Sequence, residues 1–421
     1  MWWKIVAITC VAMGGLARGE EFVQPLISVE RGLNVETWQI TSSEVTPQCP
    51  VHWAVHKYAL HGGKQEGVDL IVVNSGKVRI TVCPTRGMGI ISVTSGDVRL
   101  GWDSPVKEIV NPRNINLPMR GGLGWLEGFN EWLARCGMES AGHPGTDKFI
   151  NNVGDEATME LTLHGRVENI PASEVEVAIE KQAPYRIHIR GRVDERAFYG
   201  PKLELRTDLV TEPGSATFAV DDTITNRGDN EQEFEMIYHT NYGPPLLEAG
   251  STALVAAERV VPFNANAAKG VGEWTKYAGP TAGFIEQVYC VYPLADSSGR
   301  ASAMLMNAKK DRGVKLSWAV KELPVFTLWK NTVSMKEGYV TGLEPGTNFA
   351  FNRRIEREAG RVKKLGAGAA HHARVEFTVL GSAQEVEAVA KEIEEVQRAK
   401  KTVVDTSPAG GETGAGREIP K

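Results

Sequence analysis

The 421-residue chain has no long run of lysine and arginine. Its one basic cluster, Arg398 to Lys401, falls at the end of a helical pattern, so the basic stripe that a phosphate backbone needs is missing and no nucleic-acid partner is expected. Cysteine is scarce as well: five residues, none in a CxxC pair, which leaves a zinc site built from thiols without support. The only long apolar run, Ile5 to Leu16, falls short of the ~20 residues that cross a bilayer. No nucleophile elbow, Walker loop or dinucleotide fingerprint occurs, and Gly121-Gly122-Leu123-Gly124 lacks the preceding strand and the spacing of a phosphate cradle. His52, His56 and His61 have no carboxylate or thiol at a matching spacing, which argues against a metal site. No repeat of fixed period appears, which counts against a propeller.

What is present is the make-up of a water-soluble globular protein: 42% hydrophobic and 24% charged residues, with 47 basic against 52 acidic side chains and a net charge of -5. Such a chain buries enough surface to offset its ordering entropy, and a small or neutral partner fits its charge. The length allows two or three domains or one large all-β unit.

The two ends read differently from the body. Lys4, the apolar run and Ala17-Arg18-Gly19 make residues 1–19 an expected signal peptide, with export to a periplasmic or extracellular space and no membrane attachment after cleavage. Cys10 would leave with it. Cys49, Cys83, Cys136 and Cys290 would then meet oxidising conditions, as buried thiols or in one of three pairings that sequence does not choose between. Residues 20–44 form an N-terminal segment. Ser382-Ala383-Gln384-Glu385 reads as a capping box, and Val386, Val389, Ala390, Ile393 and Val396 follow at helical spacing, so an amphipathic helix is expected over 382–403. Residues 404–421, with Ser407-Pro408-Ala409-Gly410-Gly411 and Gly414-Ala415-Gly416, have little to bury and are expected to be disordered.

Between these ends, short runs of β-branched and aromatic residues alternate with turn residues. Examples are Val68 to Val73, Glu174 to Glu180, Leu203 to Thr211, Ala216 to Thr225 and Glu233 to His239, with Asn74-Ser75-Gly76 among the hairpin turns. A short helix is expected near Trp125 to Arg135. No other helical pattern alternates with strands, so residues 45–381 read as a large twisted antiparallel β-sandwich.

Strand alternation locates polar groups. In Thr158 to His164, the apolar Met159, Leu161 and Leu163 share one face and His164 falls on the other. In Glu233 to Asn241, Phe234, Met236 and Tyr238 share a face, and His239 and Asn241 fall opposite. Taken singly, each histidine reads as an ordinary hydrogen-bonded surface residue. A third feature, Gly342-Leu343-Glu344-Pro345-Gly346, holds a carboxylate in extended backbone between glycines that let other groups approach.

The order Leu163-His164-Gly165-Arg166, Tyr238-His239-Thr240-Asn241 and Glu344 on an all-β chain resembles the aldose 1-epimerase (galactose mutarotase) superfamily. Pro84-Thr85-Arg86-Gly87-Met88-Gly89-Ile90, Gly101-Trp102-Asp103-Ser104-Pro105, Gly121 to Phe129, Arg135-Cys136-Gly137 and Phe326-Thr327-Leu328-Trp329-Lys330-Asn331 are similar to a branch of it whose function is largely unknown. The resemblance covers about residues 50 to 380. It implies a supersandwich with a sugar on an open polar face, Glu344 as general base, His239 as general acid, and His164 orienting the sugar. No redox cofactor, nucleophile or metal is implied. Arg86 resembles the arginine that contacts sugar hydroxyls. Arg166 and Asn241 are hydrogen-bonding candidates, and Trp329 and Lys330 lie on a strand-like run where Trp329 is either core or a stacking platform. The loop 120 to 145, with His143-Pro144, is a candidate cover. The remaining aspartate of mutarotases has no identified counterpart.

The expected partner is a small sugar or the end of an oligosaccharide. Three activities stay open on this reading: anomer interconversion, sugar binding without turnover, and another carbohydrate reaction such as lysis or hydrolysis on the same scaffold.

Overall fold

The computed structural model describes residues 20–409, so the expected signal peptide and residues 410–421 of the expected tail lie outside the described residues. Two large sheets face one another. The ten-stranded sheet runs from Thr252–Val255 through Arg300–Met306, Gly313–Ala319, Ala370–Leu380, Thr217–Asn226, Lys202–Thr211, Ile187–Arg196, Glu174–Glu180 and Glu21–Ser28 to Leu33–Asn34. The fourteen-stranded sheet carries Gln287–Pro293, Val325–Asn331, Val340–Gly346, Gln232–Tyr242 and Leu133–Met138 side by side at its centre. Nearly every pairing is antiparallel, and the chain is the expected all-β sandwich with a C-terminal helix.

Alternation along each strand sets what lies between the sheets. Ile189, Leu205, Val220 and Phe377 from the smaller sheet meet Ile80, Met236, Tyr238, Phe326, Leu328 and Leu343 from the larger in one buried cluster. Trp132 bridges them, edge-on to Phe218 and Phe377 at 5.7 and 4.9 Å. A buried ion pair also crosses the gap: Arg135 Nε donates to Asp222 Oδ2 at 2.6 Å, and the Tyr238 hydroxyl donates to the same carboxylate at 3.0 Å. Because Tyr238, Leu343, Phe326 and Leu328 point inward, their neighbours His239, Glu344, Thr327 and Trp329 point to the outer face of the larger sheet.

Several expectations need correction. Residues 20–44 do not stand apart from the sandwich. Glu21–Ser28 pairs with Glu174–Glu180, and Trp38–Thr41 pairs with the strand after it, because their alternating apolar residues complete sheet edges. The Trp125 to Arg135 segment is a 3-10 turn over Gly124–Glu127 followed by a strand that starts at Leu133, since the apolar residues after Phe129 face two packed sides, not one helical stripe. The C-terminal helix spans Ala383–Arg398, with the Ser382 hydroxyl accepting the Glu385 N–H at 3.3 Å and Glu385 accepting the Gly381 N–H at 2.8 Å. Val386 and Ile393 seat it on Met304, Met306 and Leu380. Beyond it, Val403–Val404 adds a short parallel strand to Ala257–Pro262, and Asp405 pairs with Arg259, so order extends past the expected start of the tail. Cys49, Cys83, Cys136 and Cys290 are all free thiols.

Candidate functional site

Sheet register builds the site. Strand Gln232–Tyr242 sets Thr240 opposite Leu343 and Asn241 opposite Gly342, which brings His239 opposite Glu344. On the other side of Val340–Gly346, Thr327 pairs with Glu344 and Trp329 with Gly342. Directly opposed residues of an antiparallel pair point to the same face. Thr327, Glu344 and His239 therefore form a row across three neighbouring strands, flanked by Trp329 and Asn241.

His239 Nε2 lies 3.3 Å from Glu344 Oε1. Both side chains are buried, at 5% and 2% exposure. Burial removes solvent from charges, which lowers the His239 imidazole to about 4 and lifts the Glu344 carboxyl well above the usual carboxylate range. The charge of Glu286 pushes Glu344 further in the same direction, and the Asn241 amide beside His239 works against the loss of its proton. Three buried polar atoms of the row have no hydrogen-bond partner, Thr327 Oγ1, His239 Nδ1 and Asn241 Oδ1, and Glu344 Oε1 has only its 3.3 Å contact with His239 Nε2. Each such atom costs free energy unless something bonds to it, so this face is built for a polar ligand.

Close approach explains one glycine. A Cβ at Gly342 would sit 2.2 Å from Glu344 Oε1 and 3.2 Å from Trp329 Cε3, so only glycine lets the indole and the carboxylate share this patch. The loop that precedes Leu133 supplies the wall. Trp125 lies edge-on to His164 with ring centroids 4.7 Å apart, Phe129 lies edge-on to His239 at 5.5 Å, and Trp329 meets His239 at 5.4 Å. Trp329 is half-buried, and its indole N–H donates to Glu286 Oε2 at 2.8 Å. These rings offer apolar faces beside polar groups, the usual make-up of a small-molecule site.

His164 reaches the site by another route than a strand. The strand ends at Leu161, and His164 sits in a tight turn with φ 59, because Leu163 N–H is taken by Gly122 and His164 N–H by Gly142. Its ring stands 5.2 Å from that of His239, and Nδ1 contacts the Ala141 carbonyl at 3.0 Å. Burial and the neighbouring His239 hold it well below the ordinary imidazole range.

Other candidates are placed differently. Arg86 is fully buried, with Nε bonded to Glu131 at 2.5 Å and its remaining N–H groups on Val110, Asn169 and Gly128, so it presents no free donor to a sugar. It works from behind: the Glu131 carbonyl accepts both Asn241 Nδ2 at 3.1 Å and Trp102 Nε1 at 3.2 Å. Arg166 follows Gly165, whose φ of 69 turns the chain, and its exposed side chain lies near Glu195 instead of beside His164. Lys330 alternates with Trp329 and so points inward, where Nζ donates to the carbonyls of Glu273 and Lys276 over the Tyr277 ring and burial lowers it to about 8. Asn241 is on the site face. Glu286, Thr327 and Phe129 were missed as individual site residues. Thr327 carried a signal, lying two residues before Trp329 on one face, whereas Glu286 sits in irregular chain just before its strand and carried none.

Residues 65–379 match a family described as a domain of unknown function, DUF4432. Among solved structures, a candidate aldose 1-epimerase from Klebsiella pneumoniae is 40% identical and superposes with a TM-score of 0.87 over 93% of this chain and 99% of that one. A galactose mutarotase-like protein from Clostridium acetobutylicum, 12% identical, has a TM-score of 0.52 over 83% and 100% of the two chains, and the Slr1438 protein of Synechocystis, 15% identical, has 0.52 over 77% and 100%. At those identities the last two share the fold alone. No curated protein matches the chain. The match over residues 65–379 and the agreement with the Klebsiella structure along almost the whole of both chains settle the kinship: the chain belongs to the DUF4432 family, a branch of largely unknown function on the aldose 1-epimerase sandwich.

Proposed function

We propose that the protein interconverts the anomers of a free aldose by general acid and base catalysis. The observation that carries this reading is the Glu344–His239 pair, 3.3 Å apart on a face lined by unpartnered polar atoms and aromatic rings. In the reaction, a Glu344 carboxylate oxygen takes the proton of the anomeric hydroxyl, the hydroxyl oxygen forms a carbonyl with C1, and the bond from C1 to the ring oxygen breaks. The ring oxygen keeps that electron pair and takes a proton from His239 Nε2. Rotation about the bond from C1 to C2 and the reverse steps close the ring on the other face.

Desolvation drives Glu344 toward its acid form and His239 toward its neutral form, so the resting pair favours one shared proton over an ion pair. A sugar whose hydroxyls bond the row replaces the lost solvation and favours the charged arrangement, carboxylate beside imidazolium, that the reaction uses. After ring opening the proton is on Glu344 and His239 is neutral. On closure Glu344 gives its proton to the C1 oxygen and His239 takes the one on the ring oxygen, which restores the starting pair. The name of the Klebsiella relative agrees with this reading.

Sugar binding without turnover is the second reading. It is favoured by the same burial, which leaves both groups of the pair uncharged in the free protein. Polarimetry or NMR of freshly dissolved monosaccharides separates the two. Faster equilibration with wild type, lost in Glu344→Gln and His239→Ala, supports catalysis. Binding with equal rates for all three proteins removes the first.

A further inference from the structure

Buried threonines on the central strands of the larger sheet mostly direct their hydroxyls to a neighbouring carbonyl. Thr341 donates to Trp329 O and Thr240 to Leu343 O. Thr327 does not: it is 2% exposed and its hydroxyl has no partner. It also stands directly opposite Glu344, whose Oε1 is the oxygen turned to His239 Nε2 at 3.3 Å, which leaves Oε2 as the one away from the histidine. Side chains in that relation have Cβ atoms about 4.5–5.5 Å apart, a spacing at which a hydroxyl and a carboxylate are within reach of one another.

We propose that Thr327 is a positioning residue for Glu344, its hydroxyl donating to the carboxylate on the side away from His239. This rests on Glu344 being the base of the reaction proposed above. The ionised carboxylate in a buried site needs donors, and His239 can serve only while it holds its proton. As His239 gives its proton to the ring oxygen, Thr327 is the donor that remains. Its bond is to the charged form, which it favours over the protonated one, and it fixes the carboxylate plane so that one oxygen faces the anomeric hydroxyl. A hydrogen bond is formed, and no covalent bond changes.

The test compares Thr327→Val, which keeps the shape and removes the donor, with Thr327→Ser, which keeps the donor. Expected for Thr327→Val are a fall in kcat of about 10-fold or more, a sugar KM within about twofold of wild type, and an acidic limb of the kcat/KM profile moved up by about one pH unit. Thr327→Ser restores both kcat and the limb. Thr327→Ala replaces the valine variant if that protein does not fold. An unchanged limb alongside a lower kcat, or a raised KM with kcat intact, overturns the proposal, as does a valine variant that matches wild type throughout. If the wild type itself proves to have no turnover, Glu344 is titrated directly by its carboxyl infrared band, taken as the difference from Glu344→Gln. A higher Glu344 midpoint in Thr327→Val upholds the contact although the catalytic reading has failed, and equal midpoints reject the contact.

Discussion

His239 and Glu344 meet at 3.3 Å from opposed positions of adjacent strands, with no loop between either side chain and its sheet. Rigid backbone therefore supports both halves of the proton pair. Replacing Glu344 by Gln or His239 by Asn is expected to lower kcat for mutarotation by about 10²–10⁴ while leaving sugar affinity within a few-fold, as removal of a general base or acid does. Coupled-enzyme kinetics and isothermal calorimetry on the same preparations check the two halves.

Gly342→Ala is expected to reduce activity by about 10² or more, because its methyl would sit 2.2 Å from Glu344 Oε1 and force the carboxylate from its place. The fold should tolerate the methyl at a cost of about 1–3 kcal/mol. Kinetics together with urea denaturation distinguish this displaced base from general unfolding.

Arg86→Met is expected to destabilise the protein by about 3–5 kcal/mol, since it leaves the buried Glu131 charge without its partner. Lys330→Met, on the inward face, is expected to leave the sugar KM unchanged. A large rise in KM with normal stability in either variant would contradict the placement of these two side chains. Chemical denaturation and substrate titration provide both measurements.

Glu235 predicts a pH effect. Burial pushes its carboxyl up to about 8 from an unfolded value of 4.5, while its Oε2 accepts the Ala141 N–H. The folded protein therefore holds a proton that the unfolded chain releases, so this contribution is full below pH 4.5 and is lost as pH rises through 8. Within that window it changes by about 1.4 kcal/mol per pH unit. Glu235→Gln keeps an acceptor and cannot ionise. Its stability relative to wild type should rise between pH 5 and 8, as read by urea melts across that range.

The sequence showed most of the sandwich because alternation is a local signal. Glu174–Glu180 and Lys202–Thr211 lie within a residue or so of where their β-branched runs begin and end. The inward face of Gln232–Tyr242 was legible for the same reason, and it set His239 and Asn241 outward. Alternation fails once a strand ends. His164 and Arg166 were both candidates for the site, but backbone with positive φ at His164 and Gly165 turns them apart. Arg86 could not be distinguished from a ligand contact, because the carboxylate that claims it, Glu131, approaches from another segment altogether. Lys330 was grouped with Trp329 although strand periodicity sends the two to opposite faces. There the motif outweighed the period. The start of the sandwich was missed because edge strands such as Glu21–Ser28 are half-exposed and carry a weaker pattern.

The pairing of Gln232–Tyr242 with Val340–Gly346 has a final consequence. Shifting one of these strands by a single residue would turn its acid or base into the packed interior and expose an apolar neighbour in its place. Deletions or insertions of one residue within either segment should therefore be all-or-nothing for turnover, and an activity measurement on such variants would report whether the two strands have found their proper alignment.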